Sequence, residues 1–157
     1  MHETTSLARF LAPTKTKTIS SILALAFVIG GLTFYAAIVV PAASSVWGAT
    51  DQGFVTRLVT WRLNLIATPL FILIALVHWL SPRKLVRYSA LGLLMVQVAL
   101  WRTHRSLEQL LEVNLHLVLD ESLFYRQHQI YLWLTTAEIF LGWFLLLNLC
   151  QLLVGEK

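Results

Sequence analysis

Residues 18–40 read TISSILALAFVIGGLTFYAAIVV, and no charged side chain occurs between Lys17 and Asp51. Ile19 to Val40 alone supplies the roughly 20 helical residues that cross a hydrocarbon core about 30 Å thick. Backbone groups in such a core must bond within their own segment, so the stretch reads as a first membrane helix. A cleaved signal peptide is the competing reading, because Lys15 and Lys17 precede the run and Ala42, Ala43 and Ser44 follow it. The run is longer than a usual signal core, which favours the helix.

Working outward, Leu63 to Ser81 is a second uncharged run, stopped by Pro82, Arg83 and Lys84. The third is shorter. Only Tyr88 to Trp101 lies between Arg87 and Arg102, about 21 Å of helix. Neither glycine nor proline occurs between Gly92 and Gly142, so the helix is expected to continue past Arg102 and turn at Asp120-Glu121-Ser122. The expectation is an all-α membrane protein, an up-down bundle of four transmembrane helices. A cytoplasmic segment, 1–18, precedes a transmembrane domain, 19–157, with helices at about 19–41, 58–80, 85–119 and 122–153. Helices three and four would extend as a hairpin roughly 15–20 Å beyond the bilayer. Alternatively, residues 102–119 bend over into the interface.

Composition agrees. Of 157 residues, 57% are hydrophobic and 13% charged, and the mean hydropathy is +0.71, outside the range of soluble domains. The net charge of +4 does not point to nucleic acid, because the basic residues punctuate apolar runs. The expected partner is the lipid bilayer, together with a homo-oligomer or a larger membrane complex. A single cysteine, Cys150, excludes an internal disulfide. All four lysines, Lys15, Lys17, Lys84 and Lys157, fall with Arg9, Arg83 and Arg87 on one side of a four-span topology. The positive-inside rule makes that side cytoplasmic, with both termini there. Trp61, Trp79 and Trp101 stand where an aromatic belt would put them.

The other side carries only arginine as its base, Arg57, Arg62, Arg102, Arg105 and Arg126, with six of the eight acids: Asp51, Glu108, Glu112, Asp120, Glu121 and Glu138. Ion pairs holding helix ends together are the plain reading of this mixture. On the fourth helix His128, Tyr131, Thr135, Glu138 and Gly142 recur at spacings of three and four, hence on one face. Glu138 falls deep in the span and needs a partner or a proton. Arg57 and Arg62 are its candidate partners. Helix two offers Arg57, Thr60, Asn64 and Thr68 on one face, and helix three offers Gln97, Trp101, His104 and Glu108. Arg57, Arg62, Asn64, His104, His128, Tyr131 and Glu138 are the expected walls of a ligand-binding pocket near the outer leaflet, with a structural Glu–Arg pair as the alternative.

His104, Glu108, Glu112, His116 and Asp120 recur at intervals of four, which describes the solvated side of an amphipathic helix as well as a ligand stripe. Neither Glu-x-x-His nor His-Glu-x-x-His occurs, so a metal site would have to be assembled between helices, with His104 and His128 its candidates. His78 stands apart as an expected interfacial side chain. Ala26 and Gly30 form a small-xxx-small pair expected to pack against a neighbouring helix of the bundle. The segment from Trp47 to Arg57 is a short connection with no phosphate-loop signature. No serine-nucleophile elbow and no c-type haem motif occur, and the residues name no cofactor.

Gly30-Gly31 with Phe34-Tyr35 and Pro41, Gln52 to Arg57 before Leu63-Asn64, and then Arg102, His104, Asp120, Phe124, His128 and Tyr131 carry a family likeness. The chain resembles small uncharacterised four-helix bacterial membrane proteins that are distantly similar to eukaryotic transmembrane proteins linked to metal-drug resistance. The resemblance implies the architecture over residues 25–150 and no particular activity. A fainter similarity to anthrone-oxygenase-like membrane proteins implies that Trp61, Asn64 and His128 could serve a cofactor-free enzyme. Three function classes follow: a binding or transport-related protein with Glu138 as its ionisable gate; a membrane enzyme or redox protein using His104 and His128; and an accessory or assembly subunit docking through Leu107, Leu110, Leu111 and Leu117.

Overall fold

The computed structural model describes residues 15–47, 49–81, 83–112 and 117–155. Arg9, Gly48, Pro82, His116 and Lys157 lie outside the described residues. Four long helices dominate: α1 (Lys15–Trp47), α2 (Ala49–His78), α3 (Lys84–Gln109) and α4 (Glu121–Gly155). All four are long and apolar enough to cross a membrane. Contacts run α1 to α2, α2 to α3, α3 to α4 and α4 back to α1, a closed up-down ring. The chain is a multi-pass, all-α membrane protein. One end of the ring carries Lys15, Lys17 and Lys84, and the other carries Arg57, Arg62, Arg102, Arg105 and Arg126; we call them the lysine end and the arginine end.

The outward faces are as apolar as the packed interior, as a lipid solvent requires. Phe27, Ile38, Met95, Trp133 and Phe140 are all exposed. Inside, Leu25, Ile29 and Leu32 of α1 meet Phe71 and Ile74 of α2, Leu93 of α3 and Leu145 and Leu149 of α4. Association in lipid gains little from hiding grease, so it depends on close packing and interhelical hydrogen bonds. The tightest approach is at Gly142, where a methyl group would collide with the side chain of Ile29. Ala26 and Gly30 were expected to play this part and do not: Ala26 is exposed, and nothing beyond its own helix backbone lies within 4 Å of a methyl built on Gly30.

The first helix runs well past residue 41. It passes through a π-helical turn, Tyr35–Val39, and continues as α-helix from Val40 to Trp47. The N–H of Val40 donates to the carbonyl of Tyr35. Pro41 explains the wide turn: its ring would clash with the carbonyl one α-turn earlier, and one extra residue relieves the clash. The second helix also starts earlier than expected, at Ala49, so most of the segment read as a connection is helical. Ser44 of α1 donates to Gln52 Oε1 of α2 at 3.3 Å. Inside α2, Pro69 is tolerated, as prolines within membrane helices commonly are.

The third helix ends ten residues short of Leu119. Beyond Gln109, β1 (Leu111–Glu112) pairs antiparallel with β2 (Leu117–Val118) in a two-residue ladder, and the N–H of Leu119 donates to the carbonyl of Leu110 at 2.9 Å. Val113, Asn114 and Val118 are poor helix formers, which is the sequence reason for the early stop. The expected polar stripe is therefore cut. His104 and Glu108 share α3, Glu112 sits in β1, and Asp120 caps α4. Its Oδ1 accepts from the Leu123 N–H and the Ser122 hydroxyl, each at 2.9 Å. Those hydrogen bonds, the backbone one foremost, hold the Asp120 carboxyl below the usual aspartate range.

Candidate functional site

The polar faces expected on α2, α3 and α4 all turn inward and meet between the middle of the bundle and its arginine end. The side-chain amide of Asn64 on α2 donates to the Tyr131 hydroxyl on α4 at 3.1 Å. Gln97 on α3 donates to Thr68 Oγ1 at 3.1 Å and approaches the Asn64 carbonyls at 3.4 Å. The Trp101 indole donates to the same Thr68 oxygen at 2.8 Å. Thr68 in turn donates to the Asn64 backbone carbonyl at 2.7 Å. Three helices are thus tied by one network of neutral groups. Trp101 is half-buried and turns its indole N–H toward this network.

Nearer the arginine end, His104 is buried with its ring 6.1 Å from that of Tyr131. Its Nε2 lies 3.4 Å from Glu108 Oε1 without the alignment of a hydrogen bond. Arg57 Nη1 reaches the same oxygen at 3.9 Å, with side-chain exposures of 20% for Arg57 and 42% for Glu108. Arg57, His104 and Glu108 therefore form a half-solvated charge cluster joining α2 to α3. His128 is in a different setting, stacked on Phe124 at 5.9 Å.

Glu138 lies on the same face of α4 as Tyr131, two helical turns further on, and is 1% exposed. It stands 17 residues from either end of a 35-residue helix, so about 25 Å of helix lies on each side of it. Neither carboxyl oxygen has a hydrogen-bond partner among the described residues. The expected pairing with Arg57 or Arg62 does not form: Arg57 is engaged with Glu108, and Arg62 is exposed. An arginine fork on a flexible stem gains more from a carboxylate that water still reaches than from one stripped of solvent.

Of the seven expected wall residues, Asn64 and Tyr131 are in the network, and His104 lies beside it. Glu138 is on the network's own helix face, Arg57 is at its solvated edge, and His128 and Arg62 lie aside. Thr68, Gln97 and Trp101 make its central bonds. All three stood on faces marked as polar, and a count of donors against acceptors at one depth would have raised them. Among the described residues no three His, Cys, Asp or Glu side chains gather closely enough to hold a metal ion.

At the lysine end the interfacial expectation for His78 is also overturned. The side chain is wholly buried, and its Nε2 lies 3.1 Å from the Ser21 hydroxyl of α1. Leu107, expected on a docking face, is packed within the bundle against Leu100 and Tyr131. No family model matches the chain, and neither a curated protein nor a solved structure is significantly similar to it.

Proposed function

We propose that this is a proton-binding protein of a bacterial cytoplasmic membrane, with the lysine end in the cytoplasm and Glu138 as its exchangeable site. One observation carries the reading: a fully buried carboxyl at the midpoint of a membrane helix, with neither oxygen bonded to a described group. An ionised carboxylate without partners costs several kcal/mol in such a place. No described side chain supplies the compensating charge, so an ion from outside does. A proton suits the space, because the surrounding network is already hydrogen-bonded and Ile29 fills the adjacent turn at Gly142. Tyr131, Asn64, Gln97 and Thr68 give a hydroxyl- and amide-lined approach, and His104 with Glu108 gives it a titratable mouth at the arginine end. A coupled transport role would require an oligomer, since four helices leave little room for alternating access.

Infrared difference spectroscopy of the chain in liposomes tests this. Raising the external pH should bleach a carboxylic-acid C=O band, and Glu138→Gln should abolish that change while Glu108→Gln retains it. A spectrum unchanged by Glu138→Gln would overturn the proposal. The metal-binding enzyme reading has less behind it. His104 and His128 keep separate neighbours, Tyr131 and Glu108 for the one and Phe124 for the other.

A further inference from the structure

A second feature, at the opposite end of the bundle, is independent of Glu138. A cavity of about 230 Å³ opens between α1 and α2 toward the lysine end. Thr16, Lys17, Ser20, Ser21 and Ala24 form its α1 wall, and Leu70, Leu73, Ile74 and Val77 form its α2 wall. The two walls are graded. On α1, about 12 Å of helix leads from the cation and hydroxyls at residues 16 and 17, through the serine pair, to Ala24. On α2 the wall is aliphatic throughout.

We infer that this groove is a binding site for one anionic phospholipid, with its phosphate at Lys17 and Thr16, its glycerol esters at Ser20 and Ser21, and an acyl chain along Leu70, Leu73 and Ile74. The order of chemistry along the groove is that of a phospholipid read from headgroup to tail. Depth agrees, because Lys17 is the last charged residue before the uncharged run begins, where the headgroup layer meets hydrocarbon. Charge selects the headgroup: the segments that flank the helices at this end, 1–17, 79–87 and 154–157, carry seven basic residues, Lys15, Lys17, Arg83, Lys84 and Arg87 among them, against two acids, Glu3 and Glu156. A zwitterionic lipid offers the same shape with no net charge to meet that cluster. A second lipid-facing hollow, lined by Leu91, Leu94, Met95 and Val98, has no polar residue and selects no headgroup.

Native mass spectrometry of the full chain, released from micelles containing equal amounts of phosphatidylglycerol and phosphatidylcholine with matched acyl chains, tests the site. One phosphatidylglycerol should be retained in preference to phosphatidylcholine. Lys17→Gln should reduce that preference about five-fold, the equilibrium equivalent of one basic residue's attraction to an anionic leaflet. Ala24→Leu, which fills the deep end of the groove and keeps every charge, should reduce retention of both lipids. Met95→Ala on the far hollow should change neither, and circular dichroism checks that each variant is folded. Equal retention of the two lipids by the unaltered chain would overturn the inference, as would a preference unmoved by Lys17→Gln. A second copy of the chain held in place of lipid, seen as a dimer that Ala24→Leu dissociates, would overturn it too.

Discussion

Glu108 and Glu138 are two carboxylates of one network region, and the protein treats them in opposite ways. Glu108, at the arginine end, is 42% exposed and has both a guanidinium and an imidazole within 4 Å. Glu138, at mid-helix, is 1% exposed and has neither. The placement follows from solvation: the guanidinium pairs where water still reaches it, and the acid stripped of solvent has no countercharge among the described residues. The difference teaches that the bundle does not use its arginines to neutralise its deepest acid. Packing seals that acid, with the side chain of Ile29 filling the next turn of α4 at Gly142.

Breaking the packing around Glu138 should have the largest effect. Gly142→Leu drives a branched side chain into Ile29 and should destabilise the bundle by about 3 kcal/mol, measured by unfolding in mixed micelles of increasing denaturant. An effect below about 1 kcal/mol would mean that α1 and α4 separate easily and that Glu138 is not sealed. Removing the neutral network comes next. Asn64→Ala strips the Tyr131 hydroxyl and the Gln97 amide of a partner and should cost about 1–2 kcal/mol, with Asn64→Asp no rescue because it adds a second buried acid.

At the arginine end the effects shrink. A double-mutant cycle on Arg57→Ala and Glu108→Ala should give a coupling of about 0.2–1 kcal/mol that declines with added salt. A coupling above about 2 kcal/mol would place that pair in the dry interior and erase the contrast with Glu138. The smallest effect belongs to Asp120, fully exposed at the start of α4. Its folded carboxyl titrates below the unfolded one, so its contribution is present above about pH 4 and is lost as pH falls through the folded value. Protection of the Leu123 amide, its exchange relative to the free rate at each pH, should therefore fall in acid, and Asp120→Asn, which keeps the cap without the titration, should remove that fall.

Much of this was legible in the chain. Long uncharged runs marked the first two helices, the stretch without glycine or proline from Gly92 to Gly142 marked the other two, and the recurrence of Tyr131, Glu138 and Gly142 at multiples of a turn marked which side of α4 looks inward. Partner choice was not legible. Arg57 and Arg62 are five residues apart, yet one enters an ion pair and the other faces out, because helix rotation within the closed ring decides which arm reaches Glu108. The end of α3 was misread because no glycine or proline marks it, and the weaker preferences of Val113, Asn114 and Val118 act without such punctuation. His78 was read as interfacial because it is a lone histidine near a helix end beside Trp79, which does face out. Only the packing of α1 shows that Ser21 waits on the other side.

The wide turn at Tyr35–Val39 ties the two halves of the first helix to different neighbours. Ile29, before it, locks against Gly142 of α4, while Ser44, after it, meets Gln52 of α2. One residue is about 100° of rotation in a regular helix, and the wide turn takes up its extra residue without passing that rotation on, so Ser44 keeps its bearing on Gln52. Shortening the chain by one alanine at position 36 or 37 would close the wide turn to a regular spiral with the serine still in step, whereas the same deletion in a helix without such slack would shift every downstream contact at once.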